Sequence, residues 1–277
     1  MSVPFALSSA VAYGAGDFAG GLAARRTPVL TVTAVAQVAG LAVLLPAAFL
    51  VPGAISTAAL GIGALAGVCG MGGLLLYMRG LAVGPMGLVA PLSSVVGAGL
   101  PLAAGVLGGE RPGAVAVLAL VVALAAIALA SAGSRGDAAA GAGLAYGLGA
   151  GVGFGLFFVA IAMTPSDAGL WPLVAGRVTS VTLLGVVLIG RAVGHGRPER
   201  PAGVRMMVLC GVLDTVANVL FLLATRTGAL SVSGVLVSLY PVVVVVLARV
   251  VLRERLTGMQ LTGVGLALTA SALLAAA

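Results

Sequence analysis

Residues 84–129, GPMGLVAPLSSVVGAGLPLAAGVLGGERPGAVAVLALVVALAAIAL, and residues 228–273, GALSVSGVLVSLYPVVVVVLARVVLRERLTGMQLTGVGLALTASAL, carry the reading that decides the fold. Set 144 positions apart, Gly84 falls on Gly228, Leu92 on Leu236, Ser94 on Ser238, Glu110 on Glu254 and Arg111 on Arg255. Further along, Ala123, Leu124, Ala126 and Leu129 meet Ala267, Leu268, Ala270 and Leu273. Apolar residues coincide easily by chance, so the weight rests on the scarce Glu-Arg pair, which recurs between equivalent apolar runs.

Outward from these stretches the chain is apolar almost throughout. Of 277 residues, 61% are hydrophobic and 8% charged, too little polar surface to coat a water-soluble globule of this size; the solvent is lipid. A bilayer core takes about 20 apolar residues per helix. Ten such runs are present, at 2–24, 29–51, 58–80, 85–108, 114–132, 141–163, 169–192, 203–225, 229–251 and 257–276. The first is read as a span and not a secretory leader, because it lacks a basic start and carries Asp17. The repeat groups the runs by five, as domains 1–136 and 137–277. Five is odd, so the copies enter the membrane from opposite faces. The expected fold is therefore an all-α polytopic membrane protein of ten transmembrane helices in two inverted five-helix repeats, an architecture that places solute sites near the midplane between repeats.

All fourteen basic residues are Arg, and the formal net charge is +7. They need no nucleic acid as partner, because twelve of them fall at or beside connections, where basic residues set membrane orientation. Arg25, Arg26, Arg79, Arg135, Arg191, Arg197, Arg200, Arg205, Arg253 and Arg255 follow odd-numbered runs; only Arg111 and Arg226 follow even-numbered ones. By charge alone the odd connections face the cytosol and both termini lie outside. Cys69 and Cys210 lie in apolar runs and read as small hydrophobes. His195, the single histidine, has no ligand-spaced neighbours; neither a metal site nor a cofactor is expected.

An ionisable group at membrane depth costs about 2.5–3.5 kcal/mol on insertion scales, so each needs an internal partner or a wet cavity. Asp214, Arg177 and Asp17 are the three in question. Asp214, Asn218, Phe221 and Thr225 recur at helical spacing on one stripe of the eighth run. Such a stripe is either a cavity wall that binds solute or an interhelical hydrogen-bond seam; a midplane Asp is expensive for a seam alone and favours the first. Ser9, Tyr13, Gly16 and Gly20 share a face with Asp17 at its edge, where Arg25 or Arg26 offers a boundary partner. Arg177, deep in its run, either pairs with an Asp or grips an anionic group of the solute. The substrate-binding candidates are thus Asp214, Asn218, Arg177, Asp17, Tyr13 and Thr225.

Glycines four apart, Gly147, Gly151 and Gly155, with Gly149 and Gly153, and Gly63 with Gly67, read as close-packing seams. Pro91, Pro101 and Pro241 lie within spans as candidate hinges or static kinks. Glu110 and Glu254 sit at span ends, as gating or, more simply, boundary residues. Trp171 and Tyr240 are expected as interfacial anchors.

Two rivals to a carrier present themselves. An intramembrane aspartyl protease could use Asp17, within Gly14-Ala15-Gly16-Asp17, and Asp214 as a carboxylate pair; glycine is so common here that the match is cheap. A channel or structural membrane subunit would hold no enclosed midplane site. Zinc-protease, serine-hydrolase and phosphate-loop signatures are missing, and the chain has no Lys; no enzyme is expected.

Pro241, Glu254 thirteen residues later, then Gln260 and Gly263 form a pattern whose first-half counterpart keeps Gly109-Glu110 but has Gly97, Ala116 and Ala119 at the other positions. On these residues, and on the ten-run layout, the chain resembles the EamA-like members of the drug/metabolite transporter superfamily. The resemblance implies a secondary transporter of metabolites, commonly an exporter, with both termini in the cytosol, opposite to the charge count. The expected function is alternating-access movement of a small polar, amino-acid-like solute across the cell (plasma) membrane. Coupling to protons or a counter-solute, and a homodimer, are compatible with the sequence.

Overall fold

The computed structural model describes residues 2–107, 113–133, 137–165, 167–195, 203–227 and 240–276. Among them are ten helices and no strand: α1 Ser2–Ala24, α2 Val29–Leu50, α3 Thr57–Val83, α4 Met86–Leu107, α5 Ala114–Gly133, α6 Ala138–Ala162, α7 Trp171–His195, α8 Val204–Thr227, α9 Tyr240–Val251 and α10 Gly258–Ala276. Each coincides with one of the ten apolar runs. By length and composition α2, α3, α6, α7 and α8 each suffice to cross a bilayer. Large apolar side chains stay exposed on the outside, among them Val11, Phe49, Leu65, Val121, Leu124, Val186 and Val250, as a lipid solvent requires.

Helix starts follow from capping. Ser56 accepts a hydrogen bond from the Ala59 amide at α3 (3.1 Å). Asp137 accepts from the Ala139 and Ala140 amides at α6 (2.9 and 3.1 Å). At α10, Thr257 and Gln260 form a reciprocal capping box, the Thr257 amide donating to Gln260 Oε1 (2.9 Å) and the Gln260 amide to Thr257 Oγ1 (3.2 Å).

Packing respects the repeat. The α1–α8 contact has its counterpart in α6–α3, α4–α6 in α9–α1, and α3–α7 in α8–α2, while α2–α7, α4–α9 and α5–α10 pair equivalent helices of the two halves. Glycine makes these contacts close. On α6, Gly147, Gly151 and Gly155 face α4, and Gly149 and Gly153 face α3. A Cβ on Gly67 would stand 2.3 Å from the Gly176 carbonyl of α7, and one on Gly63 2.4 Å from that of Pro172. These are the seams the glycine spacing predicts.

Candidate functional site

The interior charges meet where α2, α7 and α8 converge. Backbones approach because Gly211 of α8 lies against Ala36, where a Cβ would come within 2.0 Å of its carbonyl oxygen. Thr215 donates to the Gly40 carbonyl across the same contact (3.1 Å). Arg177 reaches in from α7 and donates to Asp214 in an ion pair and to the side-chain oxygen of Gln37. The guanidinium is thereby matched in charge and held in direction. Asn218, one turn beyond Asp214, donates to its carbonyl oxygen (2.7 Å) and contacts its carboxylate (3.4 Å). The Arg177 side chain is 14% exposed and that of Asp214 35%, so the carboxylate is the open side of the pair. Buried Thr33 of α2, one turn from Gln37, has no hydrogen-bond partner for its hydroxyl among the described residues.

A second group lies across α8, on α1, α3, α4 and α9. Gly16 and Gly20 bring α1 onto Leu213 and Cys210, and Ser9 donates to the Ala217 carbonyl (2.8 Å). Asp17 accepts from the Tyr77 hydroxyl (2.9 Å), whose ring stands edge-on to Phe154. Tyr13 packs against Tyr240 with ring centroids 6.1 Å apart and lies within electrostatic reach of Asp214, Arg177 and Asp17. Tyr240 in turn lies close to the side chains of Ser93 and Ser94 on α4.

Several expectations change. Asp17 pairs with neither Arg25 nor Arg26. Arg25 instead donates to the carbonyls of Leu81 (3.2 Å) and Gly84 (3.4 Å) and to Glu254 (2.9 Å). Tyr240 does not stand apart as an interfacial anchor: its ring packs on Tyr13 of α1 and it lies beside Ser93 and Ser94 of α4. Trp171, at the start of α7 against Phe49, fits the anchor role. The two aspartates are not joined: among the described residues Asp17 bonds Tyr77, and Asp214 bonds Arg177 and Asn218. Thr225 lies in α8, but its side chain is outside the described residues, as is Glu110. Gln37 and Tyr77 are additions. Gln37 had a signal, an amide in the middle of an apolar run; the Tyr77 hydroxyl had none beyond its residue type.

Glu254 is a boundary residue with a defined task. Arg253, with φ +54°, turns the end of α9, and the Glu254 amide donates back to Ala248 (3.3 Å), a left-handed helix stop. The Glu254 carboxylate then accepts from the amides of Met86 (3.1 Å) and Gly87 (3.2 Å) in the first turn of α4. Pro241 is buried at the start of α9 as described.

Ten helices in two inverted halves, with charged groups held inside and an apolar exterior, define an integral multi-pass membrane protein. The profile of the EamA-like transporter family matches residues 1–132 and 141–276, and the chain belongs to that family, within the drug/metabolite transporter superfamily. A solved crystal structure with 20% sequence identity, aligned over 96% of this chain and 94% of its own, is similar with a TM-score of 0.56 and bears on the fold. No curated protein matches the chain.

Proposed function

We propose that the chain is a secondary transporter that moves a small polar, amino-acid-like solute, outward from the cell, by alternating access around the interior site. The observation that carries this is the Arg177–Asp214 pair, braced by Gln37 and Asn218, with the Asp214 carboxylate still partly open. A pair serving only to join helices would be closed over on both sides, because exposure weakens it. Asp17 and Tyr13 extend the site toward α1. The repeats 1–136 and 137–277 supply the two bodies that move, with a proton or counter-solute gradient as the driving force.

The test uses purified protein in proteoliposomes and a labelled mixture of amino acids and small amines. Asp214→Glu keeps the charge for Arg177 but displaces the carboxylate, and Asn218→Ala leaves the pair intact. Each is expected to lower uptake at least about tenfold, a loss of about 1.4 kcal/mol or more, with the thermal midpoint unchanged. Wild-type uptake in both variants would reject the site.

A further inference from the structure

Among the described residues the interior carries two carboxyl groups, Asp17 and Asp214, and one guanidinium, Arg177. Arg177 is matched by Asp214, and its other contact is the neutral Gln37. Among the described residues Asp17 has no such match. Around it stand Tyr77 from α3, Cys210 and Asp214 from α8, Tyr240 from α9 and Tyr13 from its own helix. Of the other cations among the described side chains, Arg26, Arg79, Arg191, Arg205, Arg249, Arg253 and Arg255 are exposed, and Arg25 is held by Glu254 and two carbonyls. The Tyr77 hydroxyl orients the Asp17 carboxylate without neutralising it.

Resting on the solute site proposed above, we infer that Asp17 receives the positive group of the solute and that the transported class is organic monocations bearing an ammonium group. One bound cation completes the charge count of the interior, whereas an anion would add to the imbalance. Burying a lone carboxylate is costly until a partner arrives, so the site gains most from a ligand that brings the missing charge. The neighbouring Tyr13 and Tyr240 rings tolerate an ammonium and its apolar body. A free amino acid fits less well: its carboxylate must take Arg177 from Asp214, and its net charge leaves Asp17 unmatched. Among amino-acid-like solutes, the decarboxylated amines and the esters or amides are the match.

Binding and uptake are measured in proteoliposomes with three probes of one shape, tyramine, tyrosine and 4-hydroxyphenylacetate, and a second set, n-butylamine and butyrate. The amines are expected to bind at least about tenfold more tightly than their zwitterionic or acidic counterparts. Asp17→Asn, which keeps the acceptor for Tyr77, abolishes that preference at unchanged thermal midpoint, and Asp17→Glu retains part of it. Preference for the zwitterion or acid, or binding of none of the amines by folded wild type, overturns the inference. So does an Asp17→Asn variant that shifts only the pH dependence of uptake, which makes a proton the missing charge. In each case uptake that responds to Asp214→Glu and Asn218→Ala leaves the transporter reading standing; uptake that ignores those two removes the reading itself.

Discussion

Thr33 isolates the energetics of a single group. Its side chain is buried in α2 with a hydroxyl unpaired among the described residues, and an unsatisfied buried hydroxyl costs about 1–3 kcal/mol. Thr33→Val removes the orphan at nearly constant shape and is expected to leave stability unchanged or raise it by about 1 kcal/mol, read as the thermal midpoint in detergent. A clear loss would mean that the hydroxyl is satisfied. The same physics explains which site residues are legible in sequence. Asp17, Arg177 and Asp214 announce themselves because an ionised group in an apolar run demands an explanation, and Asn218 follows by helical spacing. Gln37 meets a weaker form of the criterion. Tyr77 and Tyr240 do not, because the direction of an amphipathic hydroxyl depends on helix rotation, and helices apolar on every side carry no period that reveals it.

Element by element, the ends are where charge does structural work. Glu254 accepts from two amides at the positive end of α4 and pairs with Arg25, so one side chain ties the α9–α10 connection to α1, α3 and α4. Glu254→Ala loses both functions and is expected to lower stability by about 1–3 kcal/mol; Glu254→Gln, which keeps acceptors for the amides, loses less. Equal losses in the two variants, measured by thermal denaturation, would assign the whole effect to the ion pair, and no loss in either would reject the anchor. Helix existence and order were readable from apolar runs alone. Boundaries were less so: α6 starts at Ala138, before the run's expected start at 141, because Asp137 caps it. Gln260 shows the reverse, a residue visible in the family pattern whose task as half of a capping box emerged only from its bonds with Thr257.

At the scale of the whole molecule, the Arg bias toward odd connections predicts that Ala277 lies outside the cytosol. A C-terminal reporter active only in the cytosol is expected to stay dark; a bright reporter would establish the arrangement that the family resemblance implies. The mirrored helix pairing reaches further. Because the main contacts between the halves have counterparts, exchanging the conformations of the two halves would, on the proposed cycle, give a second arrangement with largely equivalent contacts that opens to the opposite face. On that cycle, a difference in affinity of about 1.4 kcal/mol between the two arrangements is enough to tilt their balance tenfold. On the proposed cycle a weakly held solute therefore suffices to reset the ensemble, and tight binding would only slow its release.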